Sequence, residues 1–303
     1  MKTKFYRPVL YYLLAGARWV FNLFPYRWGF SFGGTVGKIA FNVLPKERRK
    51  TLSHLKFAFG EEKSDAELLK IGQAVFENYG KTAAELTLID KMIKTNFKGF
   101  VVTSGYEHLD RGLREGKGII IATAHFGNWE IMGGYSTLNG YPLTVIARKI
   151  YYEKYNQLLV DLRTKMKVKI VYRDDSVKAM LSVLRNNGIL GFLVDQDIDM
   201  VGGVFVNFFG KPAYTPTAPV RFALASGAPI VPAFALREGI KTHVLVLPPI
   251  ELTRIPDKEE EVRINTQKWV SIQEEYIRKY PELWVWNHKR WKTVSVPPAT
   301  QVI

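Results

Sequence analysis

Gly118-Ile119-Ile120-Ile121-Ala122-Thr123-Ala124-His125-Phe126-Gly127-Asn128-Trp129-Glu130 is the stretch whose reading decides the fold. Three consecutive isoleucines followed by small residues predict a strand buried on both faces. The run breaks at His125. Asn128 is then placed to cap a helix, and Glu130 falls in its first turn, where an acid suits the helix dipole. An imidazole therefore stands where a core strand ends, and a carboxylate where the next helix begins. In open α/β sheets, that edge is where ligands bind.

Working outward, the apolar periodicity switches repeatedly between short runs and amphipathic segments. Strands are expected at 100–102, 118–124, 143–147, 168–171 and 189–194, with helices at 108–114, 128–138, 153–166 and 176–186. Repeated β-α-β units imply a mostly parallel sheet with helices on both faces. Farther on, 205–209 is expected as a hairpin arm, 215–225 as a helix begun by Thr215-Pro216, and 229–236 and 243–247 as strands. A long helix is expected over 257–280. Upstream, 48–93 reads as helical, with a capping box at Ser64 and Glu67 and an apolar face through Leu68, Ile71, Val75, Tyr79, Ala83 and Leu86. Glu85 reads as a surface carboxylate. The expected organisation is an α/β fold with a central mixed, mostly parallel sheet, a membrane-associated helical segment at 1–45, and one α/β domain at 46–303 with an accessory helical layer at 46–95.

The chain has 303 residues and a net charge of +15. The first fifty residues hold ten cations against one acid, Glu47, so nine of those fifteen charges are local. Among these cations lie Tyr11-Tyr12-Leu13-Leu14, Trp19-Val20-Phe21, Leu23-Phe24 and Trp28-Gly29-Phe30. Aromatic and basic residues at this density point to an anionic membrane surface rather than nucleic acid, for which no motif is present. The apolar run from Val9 to Phe24 is shorter than a span and is interrupted by Arg18. Cations flank it on both sides (Lys2, Lys4 and Arg7 before; Arg27 and 46–50 after), which fits a helix or hairpin lying in the cytoplasmic leaflet. It does not read as a cleavable signal. No cysteine occurs, which removes thiol nucleophiles and suits a reducing compartment.

A histidine with a neighbouring carboxylate is a general-base unit that can deprotonate a hydroxyl attacking a carbonyl. No G-x-S-x-G elbow occurs, so direct transfer to a hydroxyl is favoured over an acyl-enzyme. The stretch is not H-E-x-x-H, so no metal is expected, and no G-x-G-x-x-G or Walker sequence points to a nucleotide cofactor. A second constellation, Gly191-Phe192-Leu193-Val194-Asp195-Gln196-Asp197, again ends a buried strand in polar groups on the same edge.

HFGNWE resembles the H-x4-D/E signature of the late lipid A acyltransferases and of related acyltransferases acting on phosphatidylinositol mannosides. The resemblance extends through Arg49, Leu52, Leu55 and 57–60, the Asp195-Gln196 pair, Phe208-Phe209-Gly210, Gly227 to Pro232, and the closing Trp284-x-Trp286-x-His288-x-Arg290. It implies that His125 is the base and Glu130 its orienting partner. It also makes Arg148, Asn128, Asn156, Asp195 and Gln196 candidate substrate-binding residues. Arg148 would neutralise an oxyanion or hold a phosphate, and Asp195 would orient the acceptor sugar or a catalytic side chain. The closing tryptophans would lie at the membrane surface, stack with cations, contact substrate, or form a lid over the sheet. The implied reaction is acyl transfer from acyl carrier protein or acyl coenzyme A, as co-substrate with no further cofactor, to a membrane glycolipid such as a lipid A precursor. The implied location is the cytoplasmic face of the inner membrane. A phospholipid or other glycolipid acceptor, and a catalytically silent membrane-binding protein, are the alternatives.

Overall fold

The computed structural model describes residues 12, 16, 19–198 and 201–294. Lys2, Lys4, Arg7 and Arg18, the first cations of the expected anchor, lie outside the described residues. After a helical stretch at 19–23 among the described residues, the helices α1 (Tyr26–Val43), α2 (Pro45–Phe59) and α3 (Asp65–Thr95) precede the sheet. The capping box forms at the start of α3. The Ser64 hydroxyl accepts from the Glu67 N–H, and the Glu67 carboxylate accepts from the Ser64 N–H. Then follow β1 (Val101–Ser104), α4 (Tyr106–Arg114), β2 (Ile119–Thr123), α5 (Trp129–Leu138), β3 (Leu143–Ala147), α6 (Glu153–Lys165), β4 (Lys169–Tyr172), α7 (Val177–Arg185) and β5 (Ile189–Leu193). A hairpin of β6 (Gly203–Phe208) and β7 (Lys211–Pro216) precedes α8 (Ala218–Ser226), β8 (Ile230–Glu238), β9 (Lys241–Val246) and α9 (Lys258–Lys279).

The seven-stranded sheet runs β1-β9-β8-β2-β5-β3-β4. Every pair is parallel except β8 with β9. Strand alternation divides the core into two layers. Ile120, Ala122 and Ala124 of the β2 segment pack on one face with Leu190, Phe192 and Phe234. Ile119 and Ile121 pack on the other with Ile189, Val231, Ala233 and Met132. Helices cover both faces, as the isoleucine run requires.

One boundary differs from expectation. Thr215 and Pro216 end β7, and the helix begins three residues later, capped at Thr217 with Pro219 in its first turn. Thr215 is held in the hairpin because its backbone pairs with Val204 and its hydroxyl accepts from Arg290.

Helix α1 lies against α3 along a line of small residues. A Cβ at Gly33 would stand 2.5 Å from the Gly80 carbonyl oxygen, and Gly37 and Gly80 are equally closed to any side chain. On its other side α1 leaves Trp28, Phe32, Val36, Ile39 and Val43 exposed, and Phe24 just before it is exposed as well. Among the described residues, no helix is long and apolar enough to cross a membrane.

The C-terminal segment 281–293 straps the sheet edge. Phe126 bridges to Trp284, the Gly127 N–H donates to the Leu283 carbonyl, and the Val285 N–H donates to the His125 carbonyl. Trp284, Trp286 and Arg290 are wholly buried. They are therefore core, not a membrane belt, and the strap is the expected lid.

Candidate active site

The register of β2 and β5 builds the centre. Thr123 lies opposite Leu193, so two residues farther along each strand His125 and Asp195 leave the sheet side by side. Adjacent strands are about 4.8 Å apart, well within side-chain reach. His125 Nδ1 is 2.7 Å from Asp195 Oδ1, and the His125 backbone N–H donates to Asp195 Oδ2 at 2.9 Å. The Trp284 indole N–H donates to the same oxygen at 2.9 Å. Asp195 has no solvent exposure. Burial alone would raise its pKa, but the His125 imidazole, His288 and the His125 N–H overcome this and hold the carboxyl far below its ordinary value. An ionised Asp195 fixes the proton on Nδ1 and leaves the Nε2 lone pair of His125 free. Burial acts to lower the proton affinity of His125, but Asp195 outweighs it and the net shift is upward.

The expected pairing of His125 with Glu130 does not form. Arg163 of α6 takes the Glu130 carboxylate in a two-pronged bridge, Nη2 to Oε1 at 2.6 Å and Nε to Oε2 at 3.0 Å. The physical reason is register: Asp195 is placed at the imidazole by a neighbouring strand, whereas Glu130 has entered α5 and faces α6. Its charge still favours the His125 imidazolium from a distance, and that of Arg163 opposes it.

Asn128 caps α5 through Oδ1, which accepts from the Ile131 N–H at 3.1 Å. Its Nδ2 donates to Glu85 at 2.9 Å. Both polar ends are committed to the scaffold, so Asn128 shapes the loop instead of facing a substrate. Glu85 is not the surface carboxylate its sequence context suggests. It is fully buried, held by Arg237 through two hydrogen bonds of 2.9 Å and by the Tyr26 hydroxyl at 3.0 Å. Between His125 and Asn128 the chain turns at Gly127, whose φ is +57° and whose missing Cβ leaves room for the Ala235 carbonyl.

Arg148 follows β3 on the same edge and is exposed. Asn156 is buried and accepts the Ile150 N–H at 3.1 Å, bracing the loop before α6 instead of lining the centre. Gln196 does reach the imidazole. Its Nε2 stands 3.4 Å from His125 Nε2 and 3.3 Å from His288 Nε2. Trp129 packs edge-on to the His125 ring at 4.9 Å. Below Trp129 and Glu130 lies a narrow cavity of about 50 Å³, walled by Ile121, Met132, Leu143, Val145 and Gly191 among others.

Arg163 carries no local signal in the sequence, and Trp284 is legible there only as part of the closing tryptophan motif, not as the partner of Asp195. Arg163 sits in an ordinary amphipathic helix, and Trp284 reaches Asp195 from 89 residues away.

The family model for "Bacterial lipid A biosynthesis acyltransferase" matches residues 1–293. A phosphatidylinositol mannoside acyltransferase of Mycobacterium tuberculosis (strain CDC 1551 / Oshkosh) is 27% identical over 186 residues, covering 59% of this chain and 58% of its own. The chain thus spans little more than half the length of that relative. The lipid A biosynthesis lauroyltransferase of Escherichia coli (strain K12) is 24% identical over 292 residues, covering 94% of this chain and 92% of its own. Among solved structures, the 1-acyl-sn-glycerophosphate (LPA) acyltransferase PlsC of Thermotoga maritima aligns over 78% of this chain and 96% of its own, with 14% identity and a TM-score of 0.35.

Proposed function

The chain belongs to the bacterial lipid A biosynthesis acyltransferase family, and from that membership we propose that it moves a fatty acyl chain from a thioester carrier to a hydroxyl of a membrane glycolipid. The observation that carries this reading is the 2.7 Å contact between His125 Nδ1 and a fully buried Asp195 at the carboxyl edge of the sheet. With Nδ1–H held by Asp195, Nε2 accepts the proton of the acceptor hydroxyl as its oxygen attacks the thioester carbon. A C–O bond forms and the carbonyl oxygen takes the charge. When the tetrahedral centre collapses the C–S bond breaks, and the imidazolium returns its proton to the departing sulfur. Asp195 stays ionised throughout and steadies the imidazolium. The Gln196 amide and the exposed Arg148 are the groups assigned to the oxyanion or to a substrate phosphate. Glu130, tied to Arg163, sets the local field and braces α5 against α6.

The acyl donor is acyl carrier protein or acyl coenzyme A. The cavity beneath Trp129 supports an acyl tail entering between the sheet and α5, with Met132 and Leu143 moving to widen it. The acceptor is a lipid A precursor, supported by the match over 1–293. A phosphatidylinositol mannoside acceptor is the second reading, favoured by the mycobacterial relative. The basic, aromatic N-terminal part supports a location at the cytoplasmic face of the inner membrane.

The test is transfer of a labelled acyl group from each carrier to each glycolipid in detergent micelles, with wild type and His125→Ala. Loss of the base should lower turnover by about 10²–10⁴-fold with the fold retained. A variant as fast as wild type removes His125 from the chemistry. Wild type inactive with every donor and acceptor removes acyl transfer itself.

A further inference from the structure

His288 is the residue of the closing segment for which the mechanism above has no task. The strap carries it over the centre, where its ring lies 4.7 Å from that of His125. Gln196 Nε2 occupies a point 3.4 Å from His125 Nε2 and 3.3 Å from His288 Nε2, so the two imidazole nitrogens converge on one small polar atom. That point is within hydrogen-bond range of the only free lone pair of the base. It is the place a nucleophilic hydroxyl must take, because its proton has to reach His125 Nε2.

We propose that His288 is a second catalytic imidazole, which binds the acceptor hydroxyl oxygen at the point now held by the Gln196 amide and aims it at the thioester. This rests on the acyl-transfer reading and goes beyond it. In the occupied site the hydroxyl displaces the amide and gives its own hydrogen bond to His125 Nε2. It accepts one from His288 through a lone pair not used for attack, the ring proton of His288 shifting from Nδ1, where an Nε2 accepting from the amide leaves it, to Nε2 as the amide departs. His288 neither gains nor loses a proton over the cycle. The proton passes from hydroxyl to His125 and from His125 to the leaving sulfur, and the displaced Gln196 N–H groups are freed for the oxyanion.

The environment of His288 suits that task. Burial lowers its pKa to about 4, and His125, Lys50 and His54 add to the effect while Asp195 opposes it. It is therefore uncharged near neutral pH, so it does not repel the His125 imidazolium or compete for the hydroxyl proton. Its position is set by the strap. The His54 ring is 2.7 Å from the Trp286 carbonyl oxygen, and the Thr51 hydroxyl donates to Asn287 at 3.1 Å.

A hydroxyl-binding role and a structural role differ in one measurable way: water, as a small competing nucleophile, does not need the acceptor to be aimed. Acyl transfer to glycolipid and hydrolysis of the acyl thioester in its absence are measured for wild type, His288→Ala and His288→Gln, with thermal melts. Transfer should fall about tenfold or more in His288→Ala while hydrolysis stays within about threefold. His288→Gln, which can place an N–H near the Nε2 position, should recover part of the transfer. Parallel loss of both reactions, no loss of transfer, or Gln no better than Ala each overturns the proposal. If His288→Ala does not fold, the transfer-to-hydrolysis ratio of His288→Gln decides, an unchanged ratio counting against it. His125→Ala should lose both reactions, so failure of the base assignment shows separately.

Discussion

At the scale of single residues, the site depends on how one imidazole is held. His125 binds a proton more tightly than a free histidine because Asp195 outweighs the cost of burial. Only the unprotonated form is a base, so kcat/KM should fall with decreasing pH along an acid limb lying above 6.5, the ordinary value. Replacing Asp195 by Asn removes the main opposing influence, and burial then dominates. The limb should move to lower pH, and kcat should drop by about 10²–10⁴-fold as the tautomer is no longer enforced. A pH–rate profile of Asp195→Asn checks both, and an unmoved limb would mean that another group titrates. The raised affinity also stabilises the fold, fully at pH below about 6.5 and progressively less as pH rises through the folded-state value.

At the scale of elements, the loop from His125 to Asn128 is held from behind by a buried network. Asn128 caps α5 and hands its amide to Glu85 of α3, which Arg237 of β8 grips with two hydrogen bonds. Arg237 also donates to Asn78 at 2.6 Å and to Thr82 at 3.1 Å, so it is fully engaged only while α3 stays docked. Glu85→Ala strands a guanidinium away from water and should cost about 3–5 kcal/mol of stability. Adding Arg237→Met should restore much of that loss, because the unpaired charge goes with it. Denaturant unfolding of both variants decides, and a double variant less stable than Glu85→Ala contradicts the account. The apolar spacing of α3 is legible as far as Tyr79. Beyond it the buried stripe passes to Ala84, Glu85, Leu88 and Ile89, because the helix there covers a polar anchor that no period announces.

At the scale of the whole molecule, α1 is a rigid outrigger. Its glycine face is locked to α3, so its exposed aromatic and aliphatic stripe has a fixed orientation relative to the catalytic edge. Nine of the fifteen net positive charges lie in the first fifty residues. The proposed consequence is a helix lying in the plane of an anionic leaflet and presenting His125 to lipid hydroxyls. Binding to vesicles rich in an anionic phospholipid should weaken with salt, each cation near the surface contributing about 1 kcal/mol at low ionic strength. Trp28→Ala with Phe32→Ala should lower binding even in high salt, since the apolar share is not screened. Cosedimentation across a salt series measures both effects, and binding equal on neutral and anionic vesicles would refute the electrostatic part.

The sequence by itself determined the layered α/β architecture and the sheet edge at which His125 stands. Strand burial, caps and breaks are local properties written in consecutive residues. Only the tertiary structure decided which carboxylate serves His125. Glu130 is five residues away along the chain, yet strand register delivers Asp195, seventy residues away, to Nδ1. Pairing between strands is set by the packing of both sheet faces at once, and no short stretch contains that information. The same holds for Trp284 and His288, which reach the centre only because the segment 281–293 folds back over the sheet.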